Sequence, residues 1–178
     1  MDRVRHLVII SLLSGLAVVI YALESMIPTP SPWLRFGFSH IIILFTLLFF
    51  GTRVAVFVFL VRTVVGSLII GKFFSPTFIL GLGGGISAVF IMAVLLFLLK
   101  GKGLGIVGIS VSGAWVNNLV QVTLAYAVFI RHEEIFLILP LFLLFAVGTG
   151  LVNGIAVFFL NSYGQKVLGL KNRYFPVN

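Results

Sequence analysis

Three amide side chains stand inside an apolar run: Asn117, Asn118 and Gln121 in GISVSGAWVNNLVQ, Gly108 to Gln121. At the helical repeat Ser110, Ala114, Asn117 and Gln121 fall along one face with Asn118 beside them, while Ile109, Val116, Leu119 and Val120 turn elsewhere. A buried amide left unpaired costs a few kcal/mol, so this small, polar stripe must meet other helices, water or a ligand rather than lipid. Arg62 lies near the middle of FVFLVRTVVGSLII, where a guanidinium costs ~2.5–3.5 kcal/mol and has to face the interior of a bundle. It is either satisfied structurally by carbonyls and amides or holds an anionic or carbonyl-bearing ligand. Glu24, one of 4 acidic residues, is the carboxylate best placed to neutralise it.

The chemistry on offer is recognition rather than bond-making. A Ser-His-Asp set and paired carboxylates near the amide stripe are missing, because Glu133 and Glu134 sit in the polar turn Arg131-His132-Glu133-Glu134. One histidine beside two glutamates reads as a solvated loop and not as a metal site. No Walker-type G-x-x-x-x-G-K-[ST] occurs, so any ATPase must be a separate chain. The formal G-x-G-x-x-G at Gly103, Gly105 and Gly108 lacks the βαβ setting of a dinucleotide site and reads as a basic hairpin. No cofactor and no metal are expected.

The elements that must hold these residues follow from composition. The 178 residues are 61% hydrophobic and 9% charged, against about 25% charged in a soluble domain. An all-α, polytopic membrane protein is predicted, a single transmembrane domain of six helices at about 7–23, 38–51, 54–70, 77–99, 106–130 and 135–160. The formal net charge of +8 reports orientation and contact with the lipid bilayer rather than nucleic acid, for which no reading module is present. With 0 cysteines there is no disulfide framework and no thiolate chemistry.

The first apolar run, behind Arg3 and Arg5, is longer than the ~7–15 residues of a signal-peptide core and is read as a span. Its Ser11 and Gly15 form a small-xxx-small pair suited to close helix approach, either within the molecule or to a docking partner. Pro28, Pro30 and Pro32 then impose an extended segment, read as a lid or a stiff connector, with Trp33 as an interfacial anchor. Gly81 and Gly85 are expected to allow tight packing, as are Ala146, Gly150 and Gly154, which flank Asn153.

Basic residues set the orientation. With both termini cytoplasmic, the inner side collects Arg3, Arg5, Arg53, Lys100, Lys102, Lys166, Lys171 and Arg173, against Arg35, Lys72 and Arg131 outside. Asn117 then lies ~15 Å inside the loop at Arg131, with Tyr126 placed to line the way in.

The segments ALESMIPTPSPWLRFGFSHI, FLVRTVVGSLIIG, GISVSGAWVNNLVQ and GTGLVNGIAV, in that order from Ala22 to Val157, resemble the Gx transporter family, often labelled heptaprenyl diphosphate synthase component I. The resemblance implies an S component of an energy-coupling factor (ECF) transporter: six helices, a pocket open to the outside and a first helix that docks on a partner. It touches Glu24, Pro28, Pro32, Gly37, Arg62, Gly66, Ser110, Gly113, Asn118 and Gln121. Departures fall at His40, where the pattern has asparagine, at Asn117, where it has histidine, and at Val120, where it has glycine. They lie in the implied pocket, so the ligand can differ from that of relatives.

Prenyl transfer, which the label suggests, needs clustered aspartates to hold magnesium on a diphosphate, and the chain has only Asp2. A non-enzymatic, substrate-binding subunit in the plasma membrane is therefore expected, served by a transmembrane coupling subunit and ATPase subunits. Its small-molecule substrate, vitamin-like or an isoprenoid or quinone precursor, is expected to meet Glu24, Arg62, Asn117, Asn118, Gln121, Arg35, His40 and Tyr126. The alternative is a non-catalytic accessory protein of polyprenyl diphosphate or quinone biosynthesis, or of a redox assembly.

Overall fold

The computed structural model describes residues 3–27, 37–99, 102–167, 169–170, 172 and 174–175. It contains the helices α1 (Arg3–Glu24), α2 (Ser39–Phe50), α3 (Thr52–Ile69), α4 (Pro76–Leu99), α5 (Ile106–Ala125) and α6 (Leu139–Lys166), and no strand among the described residues. A π-helical turn, Tyr126–Ile130, prolongs α5, and a 3-10 segment, Glu133–Ile138, leads into α6. Among the described residues five helices are long and apolar enough to cross a membrane, which makes this a multi-pass membrane protein. The proline segment, with Trp33 and Arg35, lies outside the described residues, as do Lys100, Lys171 and Arg173.

The second apolar run behaves differently from the other five. At 12 residues α2 is about 18 Å long, short of the ~30 Å hydrocarbon core. Every residue from Ile42 to Leu48 is buried, and α2 packs against α1, α3, α4 and α6. A helix that is apolar all round belongs in the middle of a bundle, and α2 is that element here. It stops because Gly51 takes φ +87°, after which α3 begins at once on Thr52.

Two apolar clusters mark the two ends of the molecule. One joins the start of α4, the end of α5 and the start of α6 through Leu80, Val122, Ala125, Ile135 and Phe142. The other joins the second half of α2 and the start of α3 to the end of α4 and the start of α5, with Leu47, Phe59, Leu96 and Ile109 among its members. The chain therefore turns at the first end near Lys72 and Arg131, and at the second near Arg53 and Lys102.

Small residues set how closely the helices meet. A Cβ on Gly150 or Gly154 would stand 2.7 Å from the Cα of Val111 or Val107, so α6 lies backbone to backbone on α5. Gly85 gives the same close approach to the Phe59 ring of α3. Gly81 does not, since a Cβ there meets nothing within 4 Å. That α4 glycine faces open space.

Helix α6 begins at Leu139 because Pro140 sits in its first turn, where a missing N–H is harmless. It runs on to Lys166 because its last turns are tied to the tail. Asn161 Oδ1 accepts Asn172 Nδ2–H at 2.6 Å and Gln165 Nε2–H at 3.0 Å, and Gln165 also donates to the Phe175 carbonyl at 2.8 Å.

Candidate ligand-binding site

All six helices, with Gly37, contribute to one cavity of about 60 Å³. A water-sized group needs about 10–15 Å³ on this measure, so the cavity has room for about four to six of them. Glu24, His40, Arg62, Asn117, Asn118 and Gln121 all line it, brought together from α1, α2, α3 and α5. Tyr21, Ser39, Thr63, Thr77, Thr149 and Asn153 add to its polar wall. Gly81 lines it too, which is why that glycine meets no neighbour.

The two charged groups are buried, Glu24 at 5% exposed and Arg62 at 3%, so each needs specific partners. The Arg62 guanidinium donates Nη1–H to the Ser39 hydroxyl. It also lies over two rings, 4.9 Å from the Phe59 centroid and 5.2 Å from the Tyr21 centroid, whose faces attract a cation. Both rings depend on glycines. A Cβ on Gly66, one turn after Arg62, would overlap the Tyr21 ring, and one on Gly85 would overlap the Phe59 ring. The aromatic support of the buried arginine is thus built by two positions without side chains.

Glu24 closes α1 and accepts the backbone N–H of Gly37. The carbonyl of Gly37 accepts Nδ2–H of Asn153 at 3.0 Å. This one residue, at φ +72°, is therefore held by α1 on one side and α6 on the other.

The amide stripe divides its work. Asn118 donates Nδ2–H to the Phe142 carbonyl at 2.8 Å, a tie from α5 to α6. Asn117 donates to Asn118 Oδ1 at 3.4 Å, while its backbone and Oδ1 lie against Gly84, where a Cβ would meet them at 2.7–2.8 Å. Four buried side-chain atoms of the wall have no hydrogen-bond partner among the described residues: His40 Nε2, Thr63 Oγ1, Asn117 Oδ1 and Asn153 Oδ1. They come from α2, α3, α5 and α6.

The other residues singled out from the sequence lie elsewhere. Tyr126 is in the π-helical turn with its ring 5.1 Å from that of Phe136, and is not among the lining residues. Lys72 and Arg131 are exposed at the end of the bundle. Arg35 is outside the described residues. Ser11 and Gly15 are exposed on the outer face of α1, in a shallow groove against Phe57, Val61 and Val65 of α3. Among the described residues no group of three or more His, Cys, Asp or Glu side chains could hold a metal ion.

Tyr21, Ser39, Thr63 and Asn153 are functional candidates that the sequence reading did not select. Asn153 carried a usable signal, since an amide in the apolar run LVNGIAV is as conspicuous as Asn117. Tyr21 carried none, being one aromatic residue in a chain that is 14% aromatic.

No curated protein and no solved structure matches this chain. A family model, Heptaprenyl diphosphate synthase component I, matches residues 13–160, a stretch that holds every lining residue of the cavity. The chain belongs to the heptaprenyl diphosphate synthase component I family.

Proposed function

We propose that this chain is the membrane-embedded substrate-binding subunit of an uptake transporter of the ECF type, a binding unit and not an enzyme. The observation that carries this reading is a set of four buried polar atoms, on residues from four helices that line one cavity, without partners among the described residues. Most buried polar atoms are paired, and an unpaired one costs about 1–3 kcal/mol. Four around one cavity are what a site built for a polar small molecule requires. The chain crosses the plasma membrane with both termini cytoplasmic, which puts Glu24, Gly37, Lys72 and Arg131 at the outer end. A ligand enters from that end, and separate coupling and ATPase subunits drive its release inward.

The family description favours a second reading, a non-catalytic membrane component of a polyprenyl diphosphate synthase. The two differ in their partners. The test is to isolate the tagged chain from its native membrane in mild detergent and identify what elutes with it. Recovery of a membrane coupling subunit with paired ATPases is the expected result. Recovery of a soluble polyprenyl diphosphate synthase instead would replace the first reading with the second.

A further inference from the structure

The hydrogen-bond network around the cavity fixes which end of two amides is left without a partner. Asn118 must turn Nδ2 toward the Phe142 carbonyl, because the flipped amide would set oxygen against oxygen at 2.8 Å. Asn118 Oδ1 is then the acceptor for its neighbour, so Asn117 must offer Nδ2 to it. That leaves Asn117 Oδ1, which lies against Gly84 and has no partner among the described residues. Asn153 is fixed in the same way, since its Nδ2 meets the Gly37 carbonyl and its unpartnered atom is Oδ1. Both unmatched amide atoms are therefore acceptors: turning Asn153 would break its tie from α6 to Gly37, and turning Asn117 would set its oxygen against Asn118 Oδ1.

We infer that the cavity takes the head group of a small, uncharged molecule bearing at least two N–H or O–H donors, one for Asn117 Oδ1 and one for Asn153 Oδ1. This rests on reading the cavity as a ligand site. The charge balance agrees, because the wall holds one buried carboxylate, Glu24, and one buried guanidinium, Arg62, so an uncharged guest leaves the site near neutral. A phosphate or diphosphate brings only acceptor oxygens and negative charge. It would set them against the two amide oxygens and the Glu24 carboxylate. A quinone carbonyl offers acceptors where acceptors already stand. Thr63 Oγ1 can donate or accept, so it adapts to whichever group meets it. The donor pattern thus separates this site from the prenyl diphosphate chemistry in the family's description.

The test uses the whole protein in lipid nanodiscs and three probes: uracil, with two ring N–H groups; 1,3-dimethyluracil, the same ring with both donors methylated; and inorganic pyrophosphate. Binding is read by ligand-detected NMR on the wild type, Asn117→Ala and Gly81→Leu, the last of which fills the cavity from a position with open space. Uracil is expected to bind the wild type at least tenfold more tightly than dimethyluracil, to weaken at least tenfold in Asn117→Ala and to be lost in Gly81→Leu. Equal binding of the two pyrimidines would overturn the donor assignment. So would pyrophosphate binding to the wild type but not to Gly81→Leu, an outcome that keeps the cavity as a site. No difference between wild type and Gly81→Leu with any probe would overturn the cavity reading and the donor assignment together.

Discussion

Asn153 of α6 donates its Nδ2–H to the carbonyl of Gly37 at 3.0 Å, across 116 positions of the chain. Gly37 also donates its N–H to Glu24, so the start of α2 is pinned between the end of α1 and the middle of α6. This clamp holds His40 and Ser39, and through Ser39 the guanidinium of Arg62, at the cavity wall.

Breaking the clamp should destabilise the protein in a set order. Asn153→Ala removes one of the two N–H groups that the Gly37 carbonyl accepts, leaving that of His40, and is expected to cost about 0.5–1.5 kcal/mol. Asn153→Asp should cost more, because it sets a carboxylate oxygen against the Gly37 carbonyl. Thermal unfolding in detergent measures both, and an aspartate variant as stable as the wild type would rule out the clamp.

The glycines that seat the aromatic rings should tolerate no side chain. Gly66→Ala and Gly85→Ala force Tyr21 or Phe59 to move, and overpacking of this kind costs about 1–3 kcal/mol. Gly81→Ala, which meets nothing within 4 Å, should leave the unfolding midpoint unchanged. Equal midpoints for all three variants would mean that the rings are not held as described.

Arg62 and Ser39 should be energetically coupled. Lysine keeps the charge at 62 but loses the planar group that lies over two rings. Arg62→Lys, Ser39→Ala and the double variant form a cycle with an expected coupling of about 0.5–3 kcal/mol. Additive losses would show that the hydroxyl does not hold the guanidinium.

Orientation can be read with single cysteines, since the chain has 0 of its own. Lys72→Cys should react with a membrane-impermeant maleimide on intact cells, and Lys102→Cys only after permeabilisation. The reverse pattern would invert the topology and place the Glu24 end of the cavity inside.

What the sequence made legible, and what it did not, divides on physical lines. Arg62, Asn117, Asn118 and Gln121 stood out because a polar group in an apolar helix has few places to go, and the structure does place them on one cavity. The apolar runs gave the membrane helices for the same reason, through composition and length. Gly37 entered through the resemblance alone, and its clamp was hidden because it joins residues far apart in the chain. The central place of α2 was hidden because an apolar run of 12 residues reads alike whether lipid or protein surrounds it. The supports of Arg62 were hidden as well, since Tyr21 and Phe59 acquire their role only through the glycines opposite them. At the tail, Asn161 and Gln165 gave no pattern of their own, since their partners lie on the returning chain.

The central claim is that the cavity holds a small molecule, and native mass spectrometry of the gently purified protein tests it most directly. The wild type should carry a small-molecule adduct that Gly81→Leu lacks, with both proteins showing the same unfolding midpoint in the absence of ligand. A wild type without an adduct, or one whose adduct survives unchanged in Gly81→Leu, would contradict the account.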